Sequence, residues 1–181
     1  MVSIKTGTHR LGPDNATLRV KTGRRGAAAK AGHDLVIDVT SWRATVKVGD
    51  DPGQISLELD ADAGSLRVLE GTGGVQELRD EDKVEVERTI DDEVLKGQPI
   101  EFRSTEVEAF DGGRQLRVRG TLRMAGNSHS VEFELGVGSD GQIAGGATRK
   151  QTDWGIKPYS GLFGALKVAD EVEVVGEASP P

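Results

Sequence analysis

The sequence predicts an all-β protein of about eight antiparallel strands, arranged as a barrel or a sandwich, with one inserted helix. Apolar and polar residues alternate in short runs along most of the 181 residues, as in strands that bury one face. Turn signals rich in glycine, of which the chain has 25, separate these runs. Residues 75–97 instead carry apolar side chains at helical spacing.

The predicted strands follow one another at regular intervals. Turn sequences such as 50–53 and 111–113 separate them, and the second, Asp-Gly-Gly, favours a hairpin. In chain order the segments are ATLRVKT (16–22), HDLVIDVTSWRATVKV (33–48), QISLELDADAGSLRVL (54–69), PIEFRSTEVEAF (99–110), RQLRVRGTLRMAG (114–126), NSHSVEFELGVG (127–138), QIAGGATRKQTDW (142–154) and DEVEVVGEA (170–178). In the second segment the apolar residues switch from odd to even positions near Thr40 and Ser41, which predicts a bulge or a sharp bend there.

The inserted helix has one narrow apolar stripe. Val86, Ile90 and Val94 recur every four residues on an otherwise charged segment, which suits a helix lying against a barrel. Asp80 or Asp82 can cap its start. Acidic residues near its C-terminal end oppose the helix dipole and predict a break or fraying around Asp91.

The chain length suits a single domain. We expect residues 15–178 to form this domain. Residues 1–14 are polar and contain glycine and proline, so we expect a flexible lead-in there.

Composition excludes several classes of function. A net charge of −7 and a pI of about 5.1 oppose binding to nucleic acid, which requires a basic surface. Because the chain has no cysteine, disulfides, thiolate metal sites and a cysteine nucleophile are excluded. No stretch approaches the ~20 apolar residues of a spanning helix, and the N-terminus lacks a signal-peptide core. We therefore expect no stable membrane insertion and a cytoplasmic location.

Motifs for catalysis or metal binding give no assignment. The three histidines lie far apart in the sequence, and neither an HExxH zinc pair nor a GxSxG nucleophile motif occurs. We therefore predict no catalytic residue, no metal site and no cofactor.

Three residues leave alternatives open. His33, beside Asp34 at the start of a long strand, could orient a ligand head group or could hydrogen-bond the backbone at the rim of a barrel. Trp42 and Trp154 could belong to the core or could serve as platforms for a ligand.

The inner faces of the predicted strands carry mostly medium-sized apolar side chains. An eight-stranded closed sheet has room either for packed side chains or for one small ligand. Aromatic residues make up only 4% of the chain, so such an interior can remain incompletely filled and suit an alkyl or prenyl chain. The predicted ligand-binding residues are His33, Leu35, Ile37, Val39, Leu57, Leu59, Phe102, Leu116, Val118, Leu122, Met124, Val131, Phe133, Leu135 and Trp154.

Four segments, taken in order, resemble those of YceI-like proteins. They are GHDLVIDVTSWRATVKV, PIEFRSTEV, VRGTLRMAGNSHSVEFELGV and RKQTDWGI. The resemblance implies an extended, eight-stranded, lipocalin-like antiparallel barrel whose apolar interior holds a polyisoprenoid, an isoprenoid quinone or a fatty-acid amide. His33, Arg149, Asp153 and Gly155 match positions of the family's segments, and none is assigned a catalytic role.

The leading hypothesis is therefore non-enzymatic binding, transport or storage of a long-chain apolar lipid. One alternative is an enzyme that acts on an isoprenoid lipid, with His33 and a nearby acid as its acid and base. Another is an interaction protein with a filled barrel that forms a homodimer through the loop 156–164.

Overall fold

The computed structural model describes residues 4–25, 32–51, 53–74, 76–161 and 166–179. Within these residues, eleven strands form one antiparallel sheet and three short strands form a second. The strands are β1 (Gly7–Leu11), β2 (Ala16–Thr22), β3 (Arg24–Arg25), β4 (Asp34–Val39), β5 (Trp42–Val48), β6 (Ile55–Ala61), β7 (Leu66–Thr72), β8 (Ile100–Phe110), β9 (Gln115–Met124), β10 (Asn127–Val137), β11 (Ile143–Lys150), β12 (Ser160–Gly161), β13 (Leu166–Val168) and β14 (Glu171–Ala178). Strands β12, β13 and β3 make the small sheet.

The large sheet curls into a half-barrel. Its order is β1-β5-β6-β8-β9-β10-β11-β14-β2-β4-β7, and each pair is antiparallel. Strands β4 and β5 lie far apart in this order but are consecutive in the chain, so the two end regions of the sheet are joined by the backbone itself. The predicted all-β, lipocalin-like fold class is confirmed.

The number of strands differs from the predicted eight because two long strands bend sharply. The first is divided at Thr40 and Ser41, where the change of parity predicts a bend, and the second is divided at Asp62–Ser65. The bends are fastened together: the Thr40 amide and hydroxyl both donate to the Ser65 carbonyl, at 2.9 and 2.7 Å. Each bend therefore divides one predicted strand into two observed strands, β4 and β5 or β6 and β7.

Strand β1 corrects the prediction that residues 1–14 form a flexible lead-in, because residues 7–11 of that segment belong to the sheet. Strand β1 pairs with β5 from Gly7 to Leu11. Leu11, His9 and Ile4 are buried. The pairing runs through the backbone and needs few apolar side chains, which is why the segment has little strand character in the sequence.

The helix α1 (Asp80–Thr89) begins at the first of the two predicted capping residues, with Arg79 in the N-cap position instead, and changes form near Asp91. Its last turn widens into a π-helical turn over Ile90–Val94. The Glu87 carboxylate accepts a hydrogen bond from the Val68 amide of β7 at 2.9 Å, which holds the helix against the sheet.

The tight hairpin between β9 and β10 sets the register of both strands. Ala125 and Gly126 both have positive φ, 50° and 80°, as a two-residue type I′ turn requires. Met124 then pairs with Asn127, and the pairing continues to Gln115 and Gly136. The apolar side chains of both strands consequently share the inner face.

Candidate functional site

A cavity of about 670 Å³ lies inside the curled sheet. Its size falls within the range of about 300–1,000 Å³ that is typical of pockets for small ligands. Its lining is almost entirely apolar and includes thirteen of the fifteen predicted ligand-binding residues: Leu35, Ile37, Val39, Leu57, Leu59, Phe102, Leu116, Val118, Leu122, Met124, Val131, Phe133 and Leu135. Whether these residues bind a ligand remains a prediction.

Part of the wall was not among the predicted site residues. Leu18 and Val20 of β2, and Val172 and Val174 of β14, also line the cavity. The signal was present, because both segments alternate apolar and polar residues. Ala147 of β11, the strand next to β14, also lines the wall, in a segment whose small side chains carry a weaker apolar pattern.

The helix covers another part of the cavity. The predicted stripe, Val86, Ile90 and Val94, lines it, whereas Val84 is 53% exposed on the outer side. The carboxylate residues Asp82 and Glu85 also border the cavity, so this part of the wall is both apolar and acidic.

His33 lies outside the cavity lining, so the geometry lends no support to its prediction as a ligand-binding residue. Its Nε2 is 2.8 Å from the Gln76 carbonyl oxygen. The ring therefore fastens the chain ahead of the helix to the start of β4. This is the backbone contact at the rim that the sequence left open as the alternative.

Trp154 is also absent from the cavity lining. Its side chain instead lies between the turn Gln151–Trp154 and the β9–β10 hairpin. The indole is 2% exposed and its Nε1 donates to the Leu122 carbonyl at 2.9 Å. The Asn127 amide donates to the Trp154 carbonyl at 2.7 Å, and the rings of His129 and Trp154 meet edge to face at 5.5 Å. Trp154 thus holds the turn Gln151–Trp154 against the β9–β10 hairpin, which sequence alternation alone does not reveal.

Trp42 lies on the cavity wall, where the sequence left its role open. It contacts both the cluster of buried side chains in the β5–β6 half of the barrel and the cluster under the helix. Its indole Nε1 is buried and has no hydrogen-bond partner among the described residues. An unpaired buried donor is costly, because it loses its hydrogen bond to water without replacement.

Strands β10 and β11 separate after three residue pairs. They pair only from Leu135 to Val137, opposite Gly145 to Ile143. A Cβ on Gly145 would lie 2.6 Å from the Leu135 side chain, so the strands are in close contact where they separate. We call the space between residues 127–134 and 146–150 the slit.

The Arg149 side chain crosses the slit. Arg149 lines the cavity, and its Nη2 donates to the Glu132 carbonyl at 2.5 Å, while its Nη1 donates to the Thr148 carbonyl at 2.8 Å. Trp154 and Ile156 are buried against Val131 at the same side of the sheet. Side chains, rather than backbone hydrogen bonds, therefore hold this edge of the barrel together.

The described part of the chain contains no group of three or more histidine and carboxylate residues placed to hold a metal ion. Among the same residues, no helix combines the length and the apolar character needed to cross a membrane.

The sequence model of the YceI-like domain matches residues 13–179. The chain belongs to the YceI-like family. No curated protein sequence matches it significantly.

Solved structures show the same fold in relatives of this YceI-like chain. Burkholderia cenocepacia BcnA superposes with a TM-score of 0.64 at 18% identity, covering 90% of this chain and 94% of that one. A polyisoprenoid-binding domain from Saccharophagus degradans, implicated in plant cell wall breakdown, has a TM-score of 0.58 at 10% identity, covering 97% and 100%. The YceI protein of Campylobacter jejuni has a TM-score of 0.57 at 15% identity, covering 80% and 84%. At these identities the similarity shows the fold.

Proposed function

We propose that this YceI-like protein binds one long-chain apolar lipid inside its barrel without altering it chemically. The observation that carries the proposal is the cavity of about 670 Å³ with its almost wholly apolar wall. Such a wall excludes water and offers few hydrogen-bonding or charged groups, which suits a hydrocarbon chain and not a polar metabolite.

The energetics favour a long chain. Burial of one CH₂ group contributes about 0.8 kcal/mol, so a tail of about ten buried carbons gains roughly 8 kcal/mol before the costs of ordering and association. A polyisoprenoid, an isoprenoid quinone and a fatty-acid amide all supply such a tail. Membership of the YceI-like family and the polyisoprenoid-binding neighbour from Saccharophagus degradans support this class of ligand.

Binding without conversion is the proposed mode. The enzyme alternative required His33 beside the ligand, but His33 contacts the Gln76 carbonyl outside the cavity lining. We infer a role in the carriage or storage of the lipid, in the cytoplasm. The homodimer alternative depends on Leu162 and Phe163, which lie outside the described residues. It stays a prediction, to be tested by measuring the molecular size of the Leu162→Ser/Phe163→Ser variant.

A pair of adjacent positions tests the proposed binding. Ala147 points into the cavity, and its neighbour Thr148 points outward. Ala147→Phe places a ring in the tube, so we expect at least a tenfold loss of affinity for geranylgeraniol in a fluorescence titration of delipidated protein. Thr148→Phe adds the same ring outside and should leave the affinity unchanged.

Mass spectrometry of the same samples tests whether the lipid is altered. We expect geranylgeraniol to be recovered unchanged after prolonged incubation with the wild-type protein. The proposal is overturned if delipidated wild-type protein takes up no prenyl chain, if both phenylalanine variants bind equally well, or if a converted product accumulates.

A further inference from the structure

The placement of Arg149 points to a feature of the ligand that the apolar wall does not specify. Arg149 stands near the end of β11, on the side of the strand that faces the cavity, and its side chain is half-buried. It also borders the slit, so its guanidinium is accessible to solvent and to the cavity at once. A group bound there could remain in water while an attached tail lies inside the barrel.

Arg149 has no carboxylate partner among the described residues, unlike most arginines on the outer face of the sheet. The arginines that do form ion pairs are Arg19, Arg24, Arg43, Arg103, Arg114, Arg117, Arg119 and Arg123. Arg149 instead donates two hydrogen bonds, to the carbonyls of Thr148 and Glu132. A guanidinium has five N–H donors, so most of its hydrogen-bonding capacity remains for another group.

The nearest acidic side chain along the strand pair is already engaged elsewhere. Glu132 offers Arg149 its backbone carbonyl, but its carboxylate accepts from Arg119 at 2.6 Å on the outer face. Asp82 and Glu85 of the helix line the same cavity, and among the described residues no ion pair joins either of them to Arg149. The positive charge at the slit is therefore not neutralised by the described residues.

We propose that Arg149 binds the anionic head group of the lipid, a carboxylate or a phosphate, while the tail occupies the cavity. This inference rests on the proposed function and adds the class of head group to it. A planar guanidinium pairs with carboxylate and phosphate oxygens through two parallel hydrogen bonds. Its two bonds to backbone carbonyls hold the group in place, so little ordering is needed when the ligand binds.

Three lipids with the same tail and different head groups test the inference. Hexadecanoate, hexadecanol and hexadecylamine are titrated near neutral pH into delipidated full-length protein, as the wild type, Arg149→Gln and Arg43→Gln. Arg43 is the matched control, because it is an outer-face arginine with an 83% exposed side chain. Removing it changes the net charge equally.

We expect wild-type protein and Arg43→Gln to bind hexadecanoate about tenfold or more tightly than hexadecanol, as a charge-assisted hydrogen bond predicts. Arg149→Gln should lose this preference and bind hexadecanol as the wild type does. Equal affinities of the wild type for hexadecanoate and hexadecanol, a preference for hexadecylamine, or an equal loss for all three lipids in Arg149→Gln would each overturn the inference. If the wild type binds none of the three lipids, it is the proposed function itself that fails.

Discussion

Strand β10 has two edges that differ along most of their length. On the β9 side, ten consecutive residues from Asn127 to Gly136 pair with Met124 to Gln115. On the β11 side, only Leu135, Gly136 and Val137 are paired. The same strand thus borders a continuous wall on one side and a slit on the other.

The two edges are stabilised by different interactions. Backbone hydrogen bonds and a ladder of outward-facing ion pairs, with Arg119 between Glu106 and Glu132, cross the β8–β9–β10 wall. At the slit, single contacts made by Trp154, Asn127 and Arg149 replace the ladder. Substitution of one side chain should therefore affect the slit more than the wall, unless it forces the wall strands apart.

The largest expected effect comes from removing Trp154. Trp154→Ala deletes a side chain that is 2% exposed at an edge without backbone pairing, and we expect it to lower the free energy of unfolding by about 3–5 kcal/mol. Urea unfolding measures the change. Tyr159→Ala is the control, since Tyr159 is 48% exposed and its loss should cost less than about 0.5 kcal/mol. Similar small losses for both variants would show that the slit does not depend on Trp154.

A second pair of variants tests the continuous wall. A Cβ on Gly120 would collide with the Arg103 carbonyl and lie 2.6 Å from the Phe102 ring, so Gly120→Ala should destabilise by about 1–3 kcal/mol. On Gly136 the nearest atom to an added Cβ is the Ala144 carbonyl oxygen at 3.6 Å, an ordinary contact. Gly136→Ala should therefore be nearly neutral in the same assay. An equal loss of stability in both variants would show that the collision at Gly120 is not the cause of the destabilisation.

A smaller effect separates the roles of the two tryptophans. Trp154→Phe removes the hydrogen bond to the Leu122 carbonyl, whereas Trp42→Phe removes an N–H that has no partner among the described residues. We expect Trp154→Phe to cost about 0.5–1.5 kcal/mol more than Trp42→Phe in thermal or urea unfolding. If Trp42→Phe is the more damaging change, its indole nitrogen has a partner that the structure does not show.

The inner surface of the wall was predictable from sequence because parity persists through long strands. Leu116, Val118, Leu122 and Met124 occupy alternate positions of one strand, and the hairpin turn fixes the face of the next. A local pattern is enough there, since the neighbouring strand is also the neighbour in sequence.

The slit was not predictable, because it depends on where two strands separate. Arg149 matched a position of the family's late segment, but nothing in the sequence shows that β11 leaves β10 after Gly145. Trp154 and His33 lie outside the cavity lining for a related reason. Each lies beyond the end of a regular strand, where the direction of a side chain is set by a bend or a turn and not by alternation.

The smallest expected effect concerns the charges on the outer side of the wall, and it depends on pH. The hydrogen bond from Arg119 holds the pKa of Glu132 below its ordinary value. Because the folded state lowers this pKa, the interaction stabilises the protein at pH values above the ordinary glutamate pKa of about 4.3 and is lost as the pH falls through the lowered value. Both side chains are exposed, so the contribution is small.

Arg119→Gln removes this interaction. We expect a modest fall in melting temperature at neutral pH that shrinks and disappears as the solution is acidified, whereas Arg43→Gln, whose nearest carboxylate is Asp60 at 3.6 Å, should show little dependence on pH. A difference from the wild type that stays constant into acid would assign the effect to lost contacts of the arginine side chain. A difference that vanishes in acid would assign it to the ion pairs. Its small size beside that of Gly120→Ala would show that close contact between β8 and β9 matters more than charge for the stability of the wall.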